Sequence, residues 1–341
     1  MSKLSNDPMS TSHIRGALAF SGGIAKYLRL SAMRVVITGA GGWLGRASLE
    51  MLESAFGDEF SRRVAAFGST RRSLILRSGR EVSLGAIQEI VALEPAPTLL
   101  LHYAFLTKDR TLDLRAHEYE SGNAAIREIV TETIRSISVT HLLVPSSGAV
   151  YGLPTRPDRS FCIDEVGNPY GAQKILDERH FQRISSDHGL RVAIPRVFNL
   201  SGPYINKYDS YALSSIINAA LGGGPVTLRA SKRVIRAYTS IRDLIDISIG
   251  WLLKDQVPHS TVFDTRSAEP VEIGDLARLI INSVGRPDIH IERPSIVQEH
   301  GDVYVGDGRL FDAMADQQGV ALSNLESQVT DTIEYLRSGR S

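Results

Sequence analysis

The chain has few of the features that mark several large classes of protein. Cysteine occurs once, at Cys162, among 341 residues. No intrachain disulfide can form, and a reducing, cytoplasmic setting is expected. Neither sign of charge is in excess, because Lys+Arg and Asp+Glu each total 38. No global field therefore recruits nucleic acid or an anionic membrane. No apolar run is long enough to span a bilayer. The nine histidines show no ligand spacing such as His-x-x-x-His, so no metal site is expected. His102, His141 and His180 read as structural or surface residues. Cys162 has no identifiable partner base and reads as incidental. An ordinary apolar fraction of 43% with 22% charged residues predicts a folded chain with a sizeable core.

The most informative stretch runs Val35-Val36-Ile37-Thr38-Gly39-Ala40-Gly41-Gly42-Trp43-Leu44-Gly45. A β-branched run ends in glycines and a helical pattern follows, as in a turn that cradles a dinucleotide pyrophosphate. Gly39 suits the tight turn, Gly42 lets phosphates approach, and Gly45 lets helix and strand pack closely. Trp43 is expected to pack beside this turn.

Short apolar runs alternate with helical periods through the first half. Strands are expected at Val35–Thr38, Val64–Phe67, Leu99–His102, His141–Pro145 and Arg191–Pro195. Helices are expected at Ala47–Ala55, Leu84–Leu93 and Ala124–Ser136. This alternation predicts an α/β fold with a doubly wound parallel sheet and a smaller C-terminal lobe. We divide the chain into an N-terminal extension (1–32), a dinucleotide-binding domain (33–198, rejoined by 237–265) and a substrate lobe (199–236 and 266–338). The extension is basic and mildly amphipathic. It reads either as a dispensable, flexible start or as a targeting or docking segment.

After the second strand, where a carboxylate commonly holds the adenosine ribose, the chain has Phe67-Gly68-Ser69-Thr70-Arg71-Arg72. Two arginines in place of the acid favour a 2′-phosphate, hence NADP(H), with NAD(H) as the alternative. Further on, Tyr170 and Lys174 stand i, i+4, on one face of a helix if Pro169 opens it. An ammonium beside the phenol would lower its pKa and make it an acid/base near neutral pH. Ser147, at a strand end, could donate a hydrogen bond to the same reacting oxygen.

Taken together, these motifs resemble the extended short-chain dehydrogenase/reductases, the NAD(P)-dependent epimerase/dehydratase group acting on nucleotide sugars. The likeness runs from about Met33 almost to the C-terminus. It rests on Thr38–Gly45, Ser146-Ser147-Gly148-Ala149-Val150-Tyr151-Gly152, Pro169–Lys174, Arg196–Pro203 and Arg236–Asp243. It implies Ser147, Tyr170 and Lys174 as the catalytic trio, with Asn199 and Arg236 contacting the nucleotide sugar. It also implies cofactor contacts from Gly39, Gly42, Trp43, Leu44, Gly45, Ser69, Arg71, Arg72, Tyr103, Ala104, Phe105, Tyr170, Lys174 and Phe198. A homodimer is implied as well.

Two departures stand out. Glu81-Val82 occupies the place where relatives carry an adenine-side Asp. Gly148 and Ala149 replace the Asp-Glu pair of 4,6-dehydratases, which disfavours water elimination. The expected reaction is hydride transfer at carbon 4 of a nucleotide-activated hexose, as epimerase or ketoreductase. The alternatives are a reductase of a non-nucleotide carbonyl compound and a catalytically silent NADP-binding sensor or scaffold.

Overall fold

The computed structural model describes residues 17–151 and 168–338. Its centre is a sheet in the order β13-β8-β6-β5-β1-β2-β4-β3, with β7 paired to β8. The ranges are β1 Arg34–Thr38, β2 Val64–Gly68, β3 Arg72–Ile75, β4 Glu81–Ala86, β5 Thr98–His102, β6 Val139–Leu143, β7 Ser146–Ser147, β8 Arg191–Val197 and β13 Ser260–Asp264. Every pairing is parallel except β3 with β4. Val35, Val36 and Ile37 have no exposed surface. That is what a central parallel strand covered by helices on both faces requires. The covering helices include α2 (Trp43–Phe56), α3 (Ala116–Ser136), α4 (Pro169–His188) and α6 (Ile241–Leu252).

One expected helix is absent. Leu84, Ile87 and Ile90 are spaced by three and imitate a helical stripe, yet β4 runs through to Ala86 and only a 3-10 segment follows at Ile87–Ala92. Burial along β4 alternates: Val82 and Leu84 point inward, Glu81 and Ser83 outward. Pairing with the antiparallel β3 fixes that period of two and overrides the local helical spacing.

The extension is also different from its expectation. Helix α1 (Gly22–Leu30) lies against α2 and α6. Leu18, Phe20, Ile24 and Leu28 are buried, Leu28 completely. The i, i+4 pair Ile24 and Leu28 forms the inward stripe. Residues 17–32 are thus a packed part of the fold rather than a dispensable start; residues 1–16 lie outside the described residues.

The C-terminal half adds α5 (Ala212–Gly222), α7 (Ile273–Val284) and α9 (Leu325–Arg337), which pack on one another. It also contributes short strands: β9 (Leu200–Ser201) pairs with β12 (Thr239–Ser240), β10 (Val226–Thr227) with β15 (Ile291–Glu292). A third group has the order β14 (Val271–Glu272), β11 (Lys232–Arg236), β16 (Gln298–Tyr304). Helix α8 (Arg309–Gln318), expected in the lobe, packs on α6 and β13. One cluster of buried residues runs from Val35 and Ile37 to Ile216, Ile273 and Val329, so both halves share a core.

Candidate functional site

A cavity of about 680 Å³ opens above the carboxyl ends of the parallel strands. This is where ligands sit in such sheets. Trp43, Leu44, Tyr103, Ala104 and Phe105 border it on one side. Phe198, Asn199, Arg236 and Tyr304 border it on the other, and Ser147, Tyr170 and Lys174 lie between.

The glycine turn lies behind the first side: Trp43 and Leu44, the residues that follow Gly42, border the cavity, whereas Gly39, Gly42, Gly45, Ser69, Arg71 and Arg72 do not. Gly39 has φ +68°, and a Cβ there would stand 2.6 Å from the Ala104 nitrogen. A Cβ on Gly45 would stand 2.5 Å from the Ala40 Cα. Gly42 caps α2 with no side-chain hydrogen bond, and the first helical turn carries no acid. The first amides of α2 therefore have no capping side chain, as an anion-binding helix start requires. This cradle fits a dinucleotide pyrophosphate, and Arg72 places its guanidinium directly over Gly41.

The two arginines do different things. Arg72 faces the glycine turn, whereas the exposed Arg71 is held by Glu89 at 2.6 Å. Glu89 also accepts from the Ala86 N–H at 3.2 Å, and the Arg71 hydrogen bond holds its carboxyl below the usual range. The fold thus brings an acid beside the β2 end from the segment after β4, although residues 65–72 contain none. Ser69 lies exposed at that same end. Glu81 cannot take the adenine-side place assigned to it. It opens β4, opposite Ile75, at the far end from the cavity, and Gly85 and Ala86 occupy the carboxyl end.

Tyr170 and Lys174 are set by the start of α4. Pro169 is its first residue, and the Asn168 side chain accepts from the Gly171 N–H at 2.5 Å. Tyr170 lines the cavity with Ser147, and its ring meets Phe105 edge-on at 5.7 Å. Lys174 donates to the Pro145 carbonyl at 2.9 Å and lies 3.6 Å from the Phe105 ring centroid. Burial pulls the Lys174 ammonium down to about 8 against the opposing pull of Asp177 and Glu178. The expected lowering of Tyr170 is not found. Burial pushes the phenol well above its ordinary value, only partly offset by Ser147, because the ammonium is directed at Pro145 and Phe105.

Three features of the site were not read from the sequence. Tyr304, on β16, brings its hydroxyl to 3.5 Å from the Ser147 Oγ and packs its ring on Phe198 at 4.9 Å. Beneath β7, Ser146 donates to Glu178 at 2.5 Å, and Arg196 grips both Glu178 oxygens at 2.9 and 2.7 Å. Arg196 also donates to Tyr151, whose hydroxyl donates to Asp264. Glu178 is thus ion-paired and buried. Third, Trp43 donates from Nε1 to the Pro203 carbonyl at 2.7 Å, tying the glycine turn to the opposite wall.

On that opposite wall, the Asn199 amide donates to the Ala237 carbonyl at 3.0 Å. Arg236 donates to the carbonyl of Asp302 at 2.9 Å and reaches its carboxylate at 3.1 Å. A Cβ on Gly148 would lie 2.5 Å from the Phe198 ring, so no acidic side chain fits there without displacing that ring. His102 bonds Thr38 at 2.7 Å, and burial, with Lys174 and Arg127, pushes it down to about 3. His180 bonds Thr131 at 2.7 Å and His141 bonds Thr140 at 2.8 Å. Gly152 and Cys162, with the neighbouring Asp164 and Glu165, lie outside the described residues. No described helix is long and apolar enough to cross a membrane.

Comparison with known proteins agrees with this architecture. The NAD dependent epimerase/dehydratase family matches residues 35–264. A probable UDP-glucuronate 4-epimerase of Rhizobium meliloti is 25% identical over 308 residues, 80% of this chain and 87% of that protein. UDP-glucuronic acid decarboxylase 6 of Arabidopsis thaliana is 26% identical over 158 residues, 44% of this chain and 45% of that protein, so the match spans less than half of the enzyme. Among solved structures, UDP-N-acetylglucosamine 4-epimerase from Methanobrevibacter ruminantium M1, in complex with UDP-N-acetylmuramic acid, superposes with a TM-score of 0.71. It is 18% identical and covers 89% of this chain and 98% of its own. With its central strands, glycine turn and cavity all within or beside the matched span, this chain belongs to the NAD-dependent epimerase/dehydratase family.

Proposed function

We propose that this protein moves a hydride between a nicotinamide and carbon 4 of a nucleotide-activated hexose, as a 4-epimerase or a 4-ketoreductase. The observation that carries this reading is the meeting of Ser147, Tyr170 and Lys174 in one cavity, between a glycine cradle and a wall bearing Asn199 and Arg236. The nicotinamide supplies the hydride donor and acceptor when bound. Tyr170 holds or delivers the proton on the sugar oxygen. Burial keeps the phenol protonated and so available to donate, while making it a weaker acid than an unburied tyrosine. Ser147 donates a hydrogen bond to the same oxygen. Lys174, anchored by Pro145, holds the nicotinamide ribose hydroxyls with its remaining donors. Arg236 faces the diphosphate, with Asp302 fixing its fork. Elimination of water is disfavoured, because Gly148 and Ala149 offer neither acid nor base.

For the cofactor, preference for NADP(H) over NAD(H) rests on Arg72 alone, since Arg71 is already paired with Glu89. Titrating the purified protein with each dinucleotide decides this directly. The reaction is tested by adding a panel of nucleoside-diphosphate hexoses and their 4-keto-6-deoxy forms. Stoichiometric loss of NADPH identifies a reductase, and interconversion without net loss identifies an epimerase. Tyr170→Phe should lower turnover by about 10²–10⁴-fold while cofactor binding persists. Cofactor binding without turnover in the parent would instead identify a sensor or scaffold. Turnover of a carbonyl compound that ignores every nucleotide sugar would identify the non-nucleotide reductase.

A further inference from the structure

We propose that Glu50 is a positioning residue through which the N-terminal arm sets the substrate-side loop. The proposal rests on the reading of residues 199–211 as part of the substrate wall. Glu50 lies on α2, the helix that begins at the glycine turn, and it is buried. Its Oε1 accepts from the backbone N–H of Leu18 at 2.8 Å. Its Oε2 accepts from the hydroxyl of Tyr204 at 2.6 Å. Arg77 neutralises the carboxylate at 2.6 Å and lays its guanidinium over the Tyr204 ring. One side chain thus joins the arm, the cofactor helix and the loop that follows β9.

The Tyr204 end of this link is under strain. Tyr204 has φ +67°, a left-handed conformation that bulky residues rarely adopt. Such a conformation persists only where its surroundings over-determine it. Here they do, for Glu50 and Arg77 clamp the phenol and Tyr335 packs on the ring at 5.6 Å. The adjoining carbonyl of Pro203 takes the Trp43 indole, Lys207 and Tyr211 of the same loop border the cavity, and so does Asn199 just before β9. The arm is itself anchored at several points. Leu18 and Phe20 are buried, Ser21 donates its N–H to Asp246 at 3.0 Å, and Arg63 donates to the carbonyls of Leu28, Ser31 and Met33. Releasing the arm removes a donor from a buried carboxylate that also holds the strained tyrosine, so the loop loses part of what fixes it.

Hydrogen exchange on the full-length protein tests this without a known substrate. Leu18→Asp sets a carboxylate against Glu50 and should free the arm. Exchange should then rise about tenfold in residues 17–31 and also in 199–211, while β5 (98–102) keeps the parental rate. Tyr204→Phe should loosen 199–211 and leave the arm docked. In both variants the KM of the nucleotide sugar should rise about fivefold, with cofactor affinity within twofold of the parent. An arm that frees while 199–211 keeps its protection overturns the proposal, as does a Tyr204→Phe loop that exchanges like the parent. Uniform acceleration that includes β5 shows a merely structural role and overturns it too. If the parent binds no nucleotide sugar, the functional reading falls, yet the exchange pattern still decides this inference.

Discussion

The two walls of the cavity are built on different principles. Behind the side bordered by Trp43, Tyr103 and Phe105, the glycine turn is set by close backbone approaches: Gly39 against Ala104, Gly45 against Ala40, and the first amides of α2. That turn is made within a dozen residues of one strand–helix unit. The substrate wall is mostly side chains joined across long stretches of chain. Asn199 reaches Ala237, Arg236 reaches Asp302, and Tyr304 reaches Ser147. A close-packed backbone turn tolerates no added atom, whereas a side-chain wall can be retuned residue by residue. Under the proposed function, that contrast suits one part that holds a common cofactor and another that selects among sugars.

Three substitutions probe the contrast, in descending order of effect. Gly45→Ala strikes the glycine turn, because its Cβ would stand 2.5 Å from Ala40. The neighbour is backbone and cannot swing away, so a loss of about 3 kcal/mol in stability, with loss of dinucleotide binding, is expected. Calorimetry and a cofactor titration read both; a variant that binds like the parent breaks the comparison.

Arg236→Ala strikes the other wall and leaves Asp302 without its fork. Nucleotide-sugar affinity should fall by about 1.4–2.8 kcal/mol, roughly 10–100-fold, with the dinucleotide affinity unchanged. A matching loss in dinucleotide binding would show that the walls are not separable.

The smallest effect lies behind the substrate wall. Glu272 pairs with Arg293 and accepts from the N–H groups of Val234 and Gly274, bracing β11, the strand that carries Arg236. Its hydrogen bonds with Arg293 hold its carboxyl down at about 2, against an ordinary 4.5. The folded value lies below the unfolded one, so the stabilisation is complete above about 4.5 and disappears as pH falls towards 2. Glu272→Gln should therefore flatten the acid limb of the stability curve in that window. An acid limb identical to the parent's would show that the brace contributes nothing.

Much of this was legible in advance, for physical reasons that differ by element. The Tyr170 and Lys174 pair could be placed because Pro169 opens a helix and i, i+4 residues share a face. The β3–β4 hairpin was missed because Leu84, Ile87 and Ile90 carry a helical spacing that strand pairing overrides. Arg71 and Arg72 looked equivalent in sequence, and only the arrival of Glu89 separates them. The direction of the Tyr170 shift was misread because spacing says nothing of burial or of the Pro145 carbonyl that takes the lysine.

The sequence by itself determined the glycine turn, the alternating parallel sheet and the helical face shared by Tyr170 and Lys174. These follow from backbone dihedrals and side-chain periods that act within a few residues. Only the tertiary structure decided that Tyr304 stands beside Ser147, that Arg196 and Glu178 brace β7, and that the N-terminal arm reaches Glu50. Those contacts join residues far apart in the chain, and they exist only once the sheet and its covering helices have brought them together.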